Sequence, residues 1–145
     1  MTQVDFYILT SQSAEQRLDV VCRLADKAVQ NRQALFIHTA DADMSAALDS
    51  RLWTFRDESF VAHSVIDGAE QANASEPVVL AHAVEPDGSR PILINLAAEV
   101  PYFFSRFERT LEVINEAPDV RRDGRRRWAF YKDRGYPLRH HALSM

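Results

Sequence analysis

Apolar positions along the chain change period several times, and each change marks an element. Val4–Leu9 (VDFYIL) is a short β-rich run that gives way to the polar segment Thr10–Ser13. Ser13 followed three positions later by Gln16 is a helix-start signature. Leu18, Val21, Cys22, Ala25 and Val29 then recur at helical spacing and define one buried face. Ala34–Thr39 (ALFIHT) is nearly all apolar, as expected of a strand covered on both faces. Asp41 is positioned to cap a second helix, in which Met44, Ala47, Leu48 and Leu52 share a stripe.

Gly68–Pro77 reads as a loop. Val78–Ala83 and Pro91–Leu96 read as strands on either side of a Pro86–Asp87–Gly88 turn, which predicts an antiparallel hairpin. Val100–Phe107 has the pattern of a short helix, and Thr110–Asn115 fits a strand or the end of that helix. A last helix is expected from about Asp119 to Arg134, stopped by Gly135 at the C′ position. Strand–helix alternation with wholly apolar early strands predicts an α/β fold: one three-layer domain over residues 1–138, with helices on both faces of a mainly parallel, mixed sheet. Residues 139–145 are expected to form a loose tail.

The chain's 145 residues suit a single domain, and its 46% hydrophobic and 26% charged content is that of a soluble globular protein. No run approaches the ~18 consecutive apolar residues of a membrane span. MTQVDFYILTSQ lacks the basic start of a secretory signal. The lone Cys22 on an apolar helical face fits core packing and a reducing cytoplasm.

Charge is unevenly distributed. Residues 1–118 hold 9 basic and 18 acidic side chains, whereas 119–145 hold 8 basic and 3 acidic; net charges of −9 and +5 give the chain's −4. Acidity overall argues against a protein that coats duplex DNA, while the basic end, interleaved with Trp128, Phe130, Tyr131 and Tyr136, fits an anionic partner with an apolar group. On the last helix Arg121, Arg125 and Lys132 share a stripe beside Val120, Gly124, Trp128 and Tyr131. Charge alone is a weak basis for such a site. An exposed ion pair contributes ~0.2–1 kcal/mol, and a micromolar complex needs about 8 kcal/mol, so an apolar anchor is required. Trp53, about 180° around the second helix from Met44, faces away from the core if that helix extends so far, and is a candidate interface residue with Phe60.

Catalytic patterns are scarce. The four glycines form neither GxxxxGK[ST] nor GxGxxG, and the first strand-to-helix turn, Thr10–Ser13, contains none. Asp41 and Asp43, near His38, offer a magnesium-dependent hydrolase as an alternative, against their simpler use at a helix N-terminus. His63 and His82 lack metal-ligand spacing, and Ser59, Ser64 and Ser105 lack a GxSxG elbow. A second alternative is direct binding of single-stranded nucleic acid on Trp128 and Tyr136.

The opening DFYIL, the ALFIHTAD strand, LDSRLWTFRDESFVAH, DGSRPILINL and the closing RRRWAFYKDRGYPL together resemble the chi subunit family of bacterial DNA polymerase III, across nearly the whole chain. Trp53 with Glu58–Val61 and His63 is the most specific piece of that resemblance. It implies a non-catalytic accessory subunit without cofactor, with a nucleotide-binding-like fold lacking the phosphate loop. It also implies two partners: the psi subunit of the clamp loader, and the aspartate-rich, phenylalanine-ended tail of single-stranded DNA-binding protein. By position, Arg121, Arg125 and Arg127 match the basic tail-binding helix, with Ile114, Trp128 and Tyr131 as its apolar side. Trp128 replaces a tyrosine common in the family pattern. Trp53 and Phe60 match the psi-facing pair, a surface that in some members also serves a helicase-like protein.

Overall fold

The computed structural model describes residues 1–54, 63–66, 76–86 and 88–143. Among the described residues seven strands and three α-helices follow in the order β1 (Gln3–Leu9), α1 (Ala14–Gln30), β2 (Leu35–His38), α2 (Ala42–Thr54), β3 (His63–Ile66), β4 (Val78–Ala81), β5 (Ile92–Asn95), β6 (Arg109–Ile114), α3 (Pro118–Asp133) and β7 (Leu138–Leu143). The strands form one sheet in the order β3-β4-β2-β5-β6-β1-β7, and every pairing is parallel. Most of the expected loop Gly68–Pro77 lies outside the described residues, as does Phe60.

The pleat divides the core in two. Leu9, Leu35, Ile37, Leu80 and Val113 face α1 and α2, where Leu18, Val21, Cys22, Ala25, Leu48 and Leu52 cover them. Val4, Phe6, Phe36, Leu93 and Ile114 face the other way, under Phe103, Phe104, Phe107 and Tyr131. Cys22 is buried in the first cluster, and desolvation pushes its thiol up to about 12, which keeps it an inert packing residue.

The helix ends follow their sequence signals. Gln16 donates its backbone N–H to Ser13 Oγ at 3.2 Å, and Met44 donates to Asp41 Oδ1 at 2.8 Å. Pro118 stands at the start of α3, where its missing N–H costs nothing, and Gly135 turns the chain out with φ +77°.

Three expectations are corrected. The segments expected as an antiparallel hairpin are β4 and β5, which lie parallel on opposite sides of β2, with Leu35 paired to both Val78 and Ile92. Both are buried at every position, which suits interior places in a parallel sheet, and the backbone takes positive φ at Ala83 and at Gly88 between them. Most of the expected tail is β7, paired to β1 from Val4↔Leu138 to Leu9↔Leu143. The uncertain Thr110–Asn115 segment is resolved as β6, between β5 and β1. The expected helix at 100–107 is reduced to a 3-10 turn, Phe104–Arg106.

Candidate functional site

On the α3 face, that helix does not reach the β7 edge of the sheet, and the uncovered strip is an open groove of about 370 Å³. Phe6 and Ile8 of β1 and Ile114 of β6 line it, with Arg121, Gly124, Arg125 and Trp128 of α3 on one side, Asn115 and Glu116 at its end, and His140 of β7 opposite. Spacings of four and three put Arg121, Arg125 and Trp128 on one helical stripe. Gly124 lets that stripe approach the sheet: a Cβ there would stand 2.9 Å from Ile114 Cγ2. The Trp128 ring meets Phe6 edge-on, centroids 5.1 Å apart, which holds it as a wall.

Arginines along α3 are sorted by their partners. Arg122 and Arg126 both pair with Asp123, outside the groove. Arg121 and Arg125 are exposed at the groove and form no ion pair among the described residues. A ligand carboxylate therefore meets two guanidinium groups not already neutralised, beside an apolar floor.

The structure brings together Ile114, Arg121, Arg125 and Trp128 of the expected set, and places Arg127 and Tyr131 elsewhere. Arg127 is buried, donating from Nε to Glu112 Oε1 at 2.9 Å and from Nη1 to the Ala98 carbonyl at 2.9 Å. Tyr131 is fully buried, and its hydroxyl donates to Glu112 Oε2 at 2.7 Å. Burial, then the neighbouring Glu112 carboxylate, pushes the Tyr131 phenol well above its usual range. Asn95 donates to the same Glu112 oxygen at 3.0 Å, so the cluster ties α3 to β5 and β6. These side chains hold the helix under the groove and do not line it. Conversely, Phe6, Ile8, Gly124 and His140 were not among the expected binding residues. The alternation of VDFYIL was visible, but which face met the basic helix depends on strand order.

Trp53 lies in the last turn of α2, 55% exposed, while Leu48 and Leu52 of the same helix are fully buried. Its ring sits edge-on to His63 of β3, centroids 5.3 Å apart, and His63 Nε2 is 2.6 Å from Asp49 Oδ1. Trp53 thus belongs to the β3 edge and the α2 face, and the groove to the β7 edge and the α3 face. Six strand spacings separate the two edges, roughly 29 Å.

The alternative sites have simpler occupations. Asp41 caps α2, and no group of three His, Cys, Asp or Glu side chains suited to a metal occurs among the described residues. The His38 imidazole packs on Phe103 at 5.3 Å, and burial lowers its pKa. Trp128 and Tyr136 form no joint stacking platform: Trp128 rests on Phe6, and Tyr136 on Phe104 at 5.0 Å.

Fold and groove define a doubly wound α/β domain without the glycine-rich phosphate turn, carrying a basic, apolar-floored surface cleft instead. Among solved structures, T4 UvsW superposes with a TM-score of 0.71 at 10% identity, covering 99% of this chain and 42% of that one. Mss116p DEAD-box helicase domain 2 bound to an RNA duplex gives 0.58 at 10% identity, over 97% of this chain and 65% of that one. These likenesses concern the fold alone. The sequence model for "DNA polymerase III chi subunit, HolC" matches residues 1–139. DNA polymerase III subunit chi of Pseudomonas aeruginosa is 42% identical over 99% of this chain and 98% of its own length. Its Escherichia coli counterpart is 25% identical over 95% and 96%. The chain belongs to the family of DNA polymerase III chi subunits, and with it to the machinery of DNA replication.

Proposed function

We propose that this chain is a non-catalytic adaptor in the bacterial cytoplasm. It joins the clamp loader, through the psi subunit, to the acidic, phenylalanine-ended tail of single-stranded DNA-binding protein. The observation that carries the reading is the groove, where two unneutralised arginines, Arg121 and Arg125, flank the apolar surface of Phe6, Ile8, Ile114 and Trp128. Arg121 and Arg125 donate to the tail carboxylates while the terminal phenylalanine ring rests on that surface. Its volume of about 370 Å³ falls within the size range of small-ligand clefts. Exposed Trp53, on the opposite face and edge, supplies the psi-binding contact together with Phe60, and any helicase-like partner competes there.

Titration with the tail peptide, beside the same peptide lacking its final phenylalanine, tests the groove. Micromolar binding by the first and at least tenfold weaker binding by the second is expected. Equal affinity for both rejects the apolar pocket. Tight, salt-sensitive binding to naked oligonucleotide with no response to the peptide favours direct nucleic-acid binding instead.

A further inference from the structure

One wall of the groove comes from β7. The β1–β7 register sets His140 opposite Phe6, so its side chain stands on the Phe6 side of the sheet. Its ring is 6.2 Å from that of Trp128, and it is exposed. The next residue is already engaged on the other side: His141 Nε2 is 3.0 Å from Asp5 Oδ1, and its ring stacks on Tyr7 at 4.7 Å.

We infer that His140 is a binding residue of this groove and its third cation, protonated as a carboxylate-bearing ligand enters. The inference rests on the reading of the groove as a site for an acidic peptide. Histidine changes charge around neutral pH, and a carboxylate brought beside an imidazole favours its protonated form. Binding then takes up a proton, and affinity rises as pH falls. The groups facing His140 leave room for this. From β1 come the apolar Phe6 and Ile8, because Asp5 and Tyr7 point to the opposite face, where Asp5 also meets Arg109 and Arg139. From α3 come Arg121 and Arg125, and from the turn before α3 the acid Glu116, which lines the same groove. A guanidinium does not change charge between pH 6 and pH 8, so a site built of arginines alone has no pH response there.

The test is calorimetric titration of the full chain with an acidic, phenylalanine-ended peptide at pH 8 and pH 6, in buffers of different ionisation heat. Peptide carboxylates remain ionised across that range. Expected are about two- to fivefold tighter binding at pH 6 and net proton uptake near pH 7. His140→Ala and His140→Gln should bind with the pH 8 affinity at both pH values and take up no proton. A wild-type affinity equal at pH 6 and pH 8, or a rise that survives in both variants, overturns the role of His140 and leaves the groove assignment standing. No binding at either pH overturns the groove assignment and this inference with it.

Discussion

Arg121, Arg122, Arg125, Arg126 and Arg127 are near neighbours in sequence, and their environments give them different work. Arg122 and Arg126 share Asp123 on an exposed helix face, where pairs contribute little. Arg127 is buried against Glu112, whose carboxylate also accepts from Tyr131 and Asn95. Truncating Arg127 to Ala strands that carboxylate in the core and should cost about 3–5 kcal/mol in urea unfolding. Arg126→Ala should stay within about 0.5 kcal/mol of the wild type. A similar small loss for both would show that the Glu112 cluster does not hold α3 in place. Arg125→Ala removes an exposed cation at the groove. It should weaken tail-peptide binding about tenfold, the worth of one charge-assisted hydrogen bond, with the unfolding midpoint unchanged. Near-wild-type affinity in that folded variant would remove Arg125 from the site.

At the scale of elements, β7 decides whether the groove has a second wall, and a buried carboxylate holds β7 in place. Asp5 Oδ1 lies 3.1 Å from Arg139 Nε and 3.0 Å from His141 Nε2, and Oδ2 lies 3.2 Å from Arg109 Nη2. Burial alone would raise the Asp5 pKa, but hydrogen bonds from His141 and Arg109, with the charges of Arg109 and Arg139, hold it below the usual carboxylate range. A carboxylate depressed in the folded state stabilises fully above its unfolded value near ~4, and that contribution is lost as pH falls through the folded value. Asp5→Asn should therefore lower stability at pH 7 and flatten the loss between pH 5 and pH 2, with faster amide exchange along β7. An unchanged acid limb would show that Asp5 does not clamp the strand. The role of β7 was illegible in LRHHAL because edge strands need no continuous apolar face. β1, α1, β2 and α2 were legible because buried parallel strands and amphipathic helices each leave a strong pattern. The place of β5 beside β2 was not, because pairing partners are chosen by the whole sheet. The stripe of Arg121 and Arg125 beside Trp128 could be read from helical spacing, although Lys132, read onto the same stripe, does not line the groove; the burial of Arg127 and Tyr131 depends on Glu112 of β6, a partner no local window contains.

For the whole molecule, the separation of the two surfaces is what an adaptor requires. Trp53 stands at the β3 edge on the α2 face, and the groove opens at the β7 edge on the α3 face. Under the proposed adaptor role neither occupant should block the other, and Trp53→Ala should abolish association with psi while leaving tail-peptide affinity within twofold of the wild type. A heterodimer that survives this substitution would move the psi surface elsewhere. Whether one chain bridges two partners is tested by mixing it with psi and with single-stranded DNA-binding protein on oligonucleotide and weighing the complexes formed. An adaptor should give a ternary assembly with the wild-type chain, loss of psi alone with Trp53→Ala, and loss of the DNA-bound protein alone with Arg125→Ala. Mutually exclusive binding of the two partners, or one substitution that releases both, would contradict the adaptor role.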